Sequence, residues 1–427
     1  MNLNSRPLDV TGIDLSPEQL SIFEQIETSN SHFYITGKAG TGKSMLLQYL
    51  RYNTSKKVVV VAPTGIAALN IGGQTIHSLF GIAPGLIQPE SSVINRRSAE
   101  LLRHIDMVIV DEVSMVRADL MDAMDHILQL ARRSREPFGG VKMIMFGDLF
   151  QLPPVVERAL YPYFNETYGG YYFFDAFVWQ STPLAVLELH HIFRQKDEYF
   201  KTILNGIRSG EPTEEMIEAL NDRANRTIPT DNLLTLATVN SRVNQINASR
   251  MSWLTSPAYT YSASVSGALE PSAFPTEAVL ELKQGAQVMM LRNDKDRRWV
   301  NGSIGHISNL SREGIEVEIG GNIYEIKKEK WSKIRYSYSE GSDSIKEEAM
   351  SSFTQYPLRL AWAVTIHKAQ GMTYDRVAID LGTGAFAHGQ TYVALSRCTS
   401  LEGLYLTRPV TPRDVIVDQR IIEFEGS

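Results

Sequence analysis

The sequence predicts an α/β chain built as two parallel-sheet units, the second interrupted by a small antiparallel barrel. Three observations carry that fold class. In the first third, short and continuously apolar runs alternate with helical patterns, as in a parallel sheet buried on both faces. From about Pro183 the alternation starts again and includes LLTLATVN (233–240). Between about 286 and 354 the apolar period changes to two.

In chain order, LSPEQLSIFEQI (15–26) opens a helix with Ser16 as N-cap, Pro17 at its first position and Gln19 completing a capping box. FYIT (33–36), VVVVA (58–62), MVIV (107–110) and MIMF (143–146) are strands, each followed by a polar or Gly-rich turn. NGSIGHIS (301–308) reads as a strand, and IEVEIGGNIYEI (315–326) as a hairpin about Gly-Gly-Asn. SYSEGSDSIKEE (337–348) reads as a polar, mobile loop. The α/β pattern resumes at LRLAWAVTIHKAQG (358–371) and VAIDL (377–381). There is no internal repeat.

Composition narrows the class. A chain of 427 residues exceeds one ordinary domain, and 43% hydrophobic with 21% charged residues is globular. The single cysteine, Cys398, excludes an internal disulfide framework and suits a reducing compartment. No apolar stretch reaches the roughly 20 residues that span a bilayer, so no membrane partner is expected. MNLNSRPLDVTGIDLSPEQ carries neither an apolar signal core nor an Arg-rich presequence, and a cytoplasmic location is expected. A net charge of −6 advertises no general basic field, so any nucleic-acid partner must be argued from local features.

GKAGTGKS (37–44) follows a strand and opens a helix, the context a P-loop requires. Gly37, Ala39, Gly40, Thr41 and Gly42 let backbone N–H groups turn around phosphates at a helix N-terminus. Lys43 reaches the β- and γ-phosphates in such a loop, and Ser44 ligates Mg²⁺. VIVDEVSM (108–115) delivers Asp111 and Glu112 at the carboxyl end of a strand, where ligands sit in open α/β sheets. Alone, Asp-Glu after a strand is usually a solvated turn. Downstream of a P-loop, Asp111 reads as the acid that holds Mg²⁺ and Glu112 as the group that activates water. Gln19 has two compatible readings, helix capping and recognition of an adenine edge.

Further motifs follow: APTGIAALNIGGQTIHSLFG (62–81), ADLMDAMDHILQLARRSREPFGG (118–140), GDLFQLPPV (147–155), LRLAWAVTIHKAQGMTYD (358–375) and QTYVALSRCTS (390–400). With VDEVSM, this ordered set resembles superfamily-one helicases of the 5′-to-3′ branch that includes RecD and the Pif-type helicases. The likeness runs from about Leu15 to about Leu404. The departure is in GDLFQLPPV, which reads Asp-Leu-Phe where an aromatic usually comes first.

The resemblance implies two RecA-like domains, at 1–180 and at 181–285 with 355–427, and an SH3-like barrel at 286–354. A small insertion near 72–90 would split the duplex. It implies ATP and Mg²⁺ between the domains, with Arg194 and Arg397 reaching the γ-phosphate and Gln370 and Gly371 near the nucleotide. Gln151 then reads as a γ-phosphate sensor, on a segment stiffened by Pro153 and Pro154. Pro63, Thr64, Gly65, His77, Ser78 and Phe80 in the first domain, with Thr238, Asn240, Thr365, His367 and Lys368 in the second, would contact single-stranded DNA. Phe80 and Trp299 would stack on bases. Lys327, Lys328, Lys330, Lys333 and Arg335 around Trp331 suit either strand contact or a solvated hairpin. The competing readings are ordinary surface ion pairs for the arginines and helix caps for the threonines.

The implied activity is 5′-to-3′ translocation on single-stranded DNA with unwinding of duplex or other DNA structures. The family's roles are in DNA repair, recombination, telomere maintenance and G-quadruplex processing. The implied state is a monomer in the absence of DNA, in a bacterial-type cytoplasm and on the nucleoid when bound. The rivals are a translocase or clamp without unwinding, and a small-molecule P-loop kinase.

Overall fold

The computed structural model of the chain describes residues 14–91, 94 and 96–426. The segment 1–13, where no targeting signal is read, lies outside them. Among the described residues no helix is long and apolar enough to cross a membrane.

The first sheet holds β1 (His32–Gly37), β2 (Val58–Ala62), β3 (Gln74–Thr75), β4 (Met107–Val110), β5 (Lys142–Phe146) and β6 (Leu184–Leu189). Its order is β3-β2-β4-β5-β1-β6 and every pair is parallel. The continuous apolar runs are explained by burial on both faces. Phe33, Ile35, Val60, Ile109 and Ile144 face the helices Pro17–Thr28 and Lys43–Asn53. Tyr34, Val59, Val61, Val108, Val110, Met143 and Met145 face the opposite side, against the helix Ala118–Arg132.

That helix is buried along most of its length yet carries three aspartates three residues apart. Each one accepts from the backbone of a different loop: Asp119 from Ile87, Asp122 from Phe177 and Val178, and Asp125 from Phe138. The two buried carboxylates, Asp119 and Asp122, are tolerated because backbone N–H donors satisfy them and Arg117 pairs with Asp119 at 2.7 Å.

The second parallel sheet comprises β7 (Leu234–Ala237), β18 (Ala363–Thr365), β19 (Val377–Asp380) and β20 (Leu404–Leu406), in the order β18-β7-β19-β20. Between β7 and β18 lie ten antiparallel strands: β8 (Ala258–Ser262), β9 (Ser264–Ser266), β10 (Val279–Lys283), β11 (Gln287–Met290), β12 (Ile304–Leu310), β13 (Ile315–Ile319), β14 (Asn322–Ile326), β15 (Glu329–Ser339), β16 (Ser344–Gln355) and β17 (Leu358–Leu360). They form the sheets β14-β13-β12-β11-β17, β15-β16-β9 and β10-β8. Tyr261, Leu280, Val288, Ile307, Val317 and Leu358 share their core.

Several boundaries differ from the sequence expectation. β6 pairs with β1 along its whole length and so belongs to the first sheet, although residues from 181 were assigned to the second unit. The helix Gln419–Glu425 also returns to the first sheet, where Glu425 accepts from Tyr34 and Thr36 at 3.1 Å. The antiparallel part extends past 286–354 on both sides, because β8 pairs with β10 and β17 with β11. The motif at 358–371 therefore splits: Leu358–Leu360 completes the antiparallel sheet and Ala363–Thr365 starts the parallel one.

The expected loop at 337–348 is instead the tip of the β15–β16 hairpin. Its polar residues concealed a period of two in which Tyr336 and Tyr338 have specific partners. The hairpin lies on the first sheet. Tyr336 is 3% exposed, its hydroxyl accepts from Val60 N–H at 3.3 Å, and its own N–H donates to Gln74. Arg51 pairs with Glu347 at 2.6 Å, and the Tyr338 ring stacks on His104 with centroids 3.7 Å apart.

Candidate active site

β1 ends at Gly37 and the helix Lys43–Asn53 begins after Gly42, so the loop of residues 38–42 bends between them. Gly40 and Gly42 hold φ of 90° and 83°, which L side chains rarely adopt. Space also demands glycine there. A Cβ on Gly40 would lie 2.5 Å from Arg194 Cβ, and one on Gly42 would lie 2.5 Å from Gln19 Nε2. Thr41 is buried, and its hydroxyl donates to Lys38 O at 3.0 Å. Lys43 folds back on the loop, donating to the carbonyls of Gly37 and Lys38. Burial lowers its pKa, and the nearby carboxylates Asp148 and Glu112 oppose that shift. Ser44 follows as the second residue of the helix.

Gln19 makes the expected capping box with Ser16. Its amide nitrogen then points to the Gly42 carbonyl at 3.3 Å, so in this arrangement it faces the loop and ties the first helix to it.

Asp111 and Glu112 stand at the carboxyl end of β4, next in the sheet to β5. Glu112 has φ 52°, an unusual value for a residue with a side chain. Burial raises the pKa of both carboxyls. The charge of Glu112 adds to the shift at Asp111, and Lys43 and Arg397 oppose the shift at Glu112. Glu112 Oε2 accepts from Gln370 Nε2 at 3.1 Å, a bond between a residue beyond β4 and one beyond β18.

β5 delivers Asp148 and Gln151. The Gln151 amide, 7% exposed, donates to Asp148 Oδ2 at 3.0 Å.

Arg194 lies against the loop from the other side, with Arg397 behind it. Arg194 donates to Ser396 O at 3.2 Å and to Gly371 O at 3.4 Å. Burial, then the charge of Arg397, lowers its pKa to about 9. Arg397 is 1% exposed; it donates to Val393 O at 2.9 Å and to Ser396 Oγ at 3.1 Å. Phe193 N–H donates to Gly40 O at 2.9 Å, so the segment 193–195 is laid against the phosphate loop.

The structure thus gathers Gln19, Lys43, Asp111, Glu112, Gln151, Arg194, Gln370, Gly371 and Arg397 around one loop. It adds Tyr392, whose hydroxyl accepts from Ala39 N–H at 3.0 Å. Sequence reasoning passed over Tyr392, although it sits in QTYVALSRCTS, five residues before Arg397.

The proposed strand contacts are more scattered. Thr64 caps the helix Gly65–Ile71 by accepting from Ala67 N–H, and Pro63 precedes it. Ser78 is exposed and accepts from Gln74; His77 is half-buried, and burial lowers its pKa. Phe80 is 1% exposed in the first core, so it offers no face for stacking on a base. Its neighbours Ile76 and Leu79 are buried with it, because the short helix packs its apolar side inward. Trp299 and Trp331 are likewise buried, each with an arginine over its ring.

Thr238 is buried beside the exposed Asn240, which begins the helix Asn240–Trp253. Thr365 accepts from the Lys368 N–H at 3.3 Å. Asn240, Thr365 and Lys368 share the wall of an open groove of about 380 Å³ with Arg359, Glu277 and Glu281. His367 lies next to Lys368; both are exposed, and partial desolvation there lowers the pKa of each.

Comparison with known proteins follows the same lines. The family profile described as PIF1-like helicase matches residues 14–216, and a herpes-type helicase profile matches residues 337–416. The ATP-dependent DNA helicase Pif1 of Bdellovibrio bacteriovorus is 33% identical over 430 residues, covering 98% of this chain and 93% of that protein. The crystal structure of Bacteroides sp Pif1 with ADP-AlF4 superposes with a TM-score of 0.90 at 36% identity, covering 97% of both chains. Bacteroides Pif1 bound to ssDNA, with the same coverage and 37% identity, superposes with a TM-score of 0.70.

Proposed function

Given that this chain belongs to the PIF1-like helicase family and is an ATP-dependent DNA helicase, we propose that it translocates 5′ to 3′ on single-stranded DNA, hydrolysing ATP between its two parallel sheets. The observation that carries the mechanism is the Glu112–Gln370 bond. A half-buried acid on the phosphate-loop side is held by a side chain from the other sheet.

ATP phosphates bind the N–H groups of residues 38–44, and Lys43 turns from its own loop carbonyls to the β- and γ-phosphates. The carboxylate pair suits Mg²⁺. Asp111 and Glu112 stand half-buried side by side with raised pKa values, and a divalent cation held by Asp111 would relieve that repulsion. Ser44 and Asp111 would hold the ion together with nucleotide oxygens. Once bound, Mg²⁺ neutralises phosphate charge.

Glu112 orients the attacking water and takes its proton, a task its raised pKa favours. Arg194 and Arg397 fork onto the γ-phosphate oxygens and stabilise the charge of the transition state. Gln151 senses the γ-phosphate. Closure of the sheets aligns these groups, and reopening shifts the grip on the strand. The Thr64 helix cap and Thr365 at the end of β18, with Asn240 and Lys368, hold DNA phosphates without reading sequence. A monomer in the absence of DNA carries every nucleotide-site group named above, so this reading of hydrolysis needs no second copy.

The test is unwinding of a fluorescent forked duplex with either a 5′ or a 3′ tail, alongside ATP turnover with and without single-stranded DNA. Unwinding only from the 5′ tail is expected. Unwinding from the 3′ tail overturns the polarity, and none from either tail leaves a translocase or clamp. Turnover indifferent to DNA restores the small-molecule kinase.

A further inference from the structure

Arg208 lies in the helix Glu198–Ser209, outside every motif quoted above. Its guanidinium sits over the Phe150 ring, 3.8 Å from the centroid, and donates to Asp148 Oδ1 at 3.3 Å. It also lies 3.8 Å from Glu425 Oε2. The Arg208 side chain is 12% exposed and that of Asp148 is 0% exposed.

Asp148 is fully engaged. Oδ1 also accepts from Phe150 N–H at 3.2 Å, and Oδ2 accepts the Gln151 amide at 3.0 Å. Glu425, on the far side of Arg208, accepts from Tyr34 and Thr36 on the strand that runs into the phosphate loop. One cation and two carboxylates thus join the end of β5, the helix 198–209 and the C-terminal helix. A buried ion pair adds little net stability over an apolar pair of the same volume. What this one does is orient. It holds the carboxylate that in turn holds Gln151.

The helix bearing Arg208 is fastened to the second sheet's motifs, since Asp197 at its N-cap accepts from Leu401 N–H at 3.4 Å. A shift of that helix relative to the first sheet moves Arg208 against Asp148 and frees or re-aims the Gln151 amide.

We propose that Arg208 is a positioning residue for ATP hydrolysis: it fixes Asp148, and through Asp148 it sets Gln151 toward the γ-phosphate, without itself touching nucleotide. The proposal rests on the reading of Gln151 as the phosphate sensor. Its test is a double-mutant cycle in the full-length protein, reading kcat and KM for ATP with and without single-stranded DNA. Arg208→Gln is expected to lower DNA-stimulated kcat about 10- to 100-fold, as misplacement of a reacting group does. KM is expected to stay within about twofold, because the interaction acts on the transition state. Arg208→Lys, which keeps the charge and loses the fork, is expected to fall between.

In a Gln151→Ala background both substitutions are expected to have no further effect, since the group they position is gone. Equal losses in the two backgrounds would overturn the proposal, as would a wild-type kcat for Arg208→Gln. If melting curves show that Arg208→Gln does not fold, the same cycle with Arg208→Lys decides. A wild-type chain whose hydrolysis ignores DNA would defeat the functional mechanism, and this proposal with it; a DNA-stimulated wild type with an additive cycle defeats the proposal alone.

Discussion

Removing the Tyr336 side chain should favour DNA binding. The ring is 3% exposed, and its polar partners, Val60 N–H and the Gln74 side chain, both belong to the first sheet. Truncating a buried aromatic to alanine costs about 3–5 kcal/mol. The hydroxyl and backbone partners lie across the interface rather than within the hairpin. Most of the loss therefore falls on the docked arrangement. Taking about 3 kcal/mol as the share borne by docking shifts the docked-to-free ratio about 100-fold.

The chain resembles the ADP-AlF4 form of its Bacteroides relative more closely than the ssDNA form, 0.90 against 0.70. If strand binding requires the hairpin to leave the first sheet, Tyr336→Ala tightens affinity for single-stranded DNA by up to that factor. Fluorescence anisotropy on a labelled oligonucleotide reads the affinity. A dye pair on the hairpin tip and the helix 43–53 reads release. A hairpin that is released with unchanged DNA affinity would refute the claim that docking opposes binding. A hairpin that stays docked would refute the energetic assignment.

Three further outcomes are expected. Lys43→Ala abolishes ATP turnover while DNA binding persists; near-normal hydrolysis, measured by phosphate release, would remove the phosphate loop from the mechanism. Gln370→Ala breaks the charge-assisted bond to Glu112, worth about 1.5–3 kcal/mol, and lowers DNA-stimulated kcat about tenfold or more; unchanged single-turnover rates would show that the two sheets need no such bridge. His32 has its pKa lowered to about 4 by burial, then by Lys142, and its Nδ1 accepts from Met143 N–H. The folded state thus binds that proton less well than the unfolded chain does, so stability falls as pH drops from about 6.5 to about 4. The size is about 3 kcal/mol before allowance for partial exposure. His32→Asn keeps an acceptor without titrating, and should flatten the melting-temperature decline over that window; an unchanged slope would assign the acid sensitivity elsewhere.

The parallel core and the nucleotide loop were legible because their physics is local. A run such as VVVVA can only be buried on both faces, and GKAGTGKS follows its strand and opens its helix within one segment. Asp111 and Glu112 were readable for the same reason. The boundaries were not, because pairing partners are distant in the chain. Nothing within Leu184–Leu189 says that it joins β1, some 150 residues earlier, rather than the sheet that follows it. In SYSEGSDSIKEE polarity mimicked a loop, and only the cross-strand pairing, with Tyr336 just before it docked on the first sheet, reveals a hairpin. Phe80 shows the converse error: an aromatic inside a strand-contact motif turned out to be core. Arg208 carried no signal at all, since its role depends on meeting Asp148 and Glu425 from two other segments.

The return of the C-terminal helix to the first sheet bears on how the molecule can move. The chain crosses between the sheets twice, once after Leu189 and again between Leu406 and Asp418, where Tyr172 bonds to the Asp418 carboxylate at 2.8 Å. Two bodies joined by a single tether can swivel freely about it. Joined at two separate places, they are confined to swing about the line through both attachments, as a door does on its pins. The travel of the second sheet per ATP is then a property of that axis. Lengthening the segment 407–417 should loosen the stroke while leaving the chemistry of the nucleotide site intact.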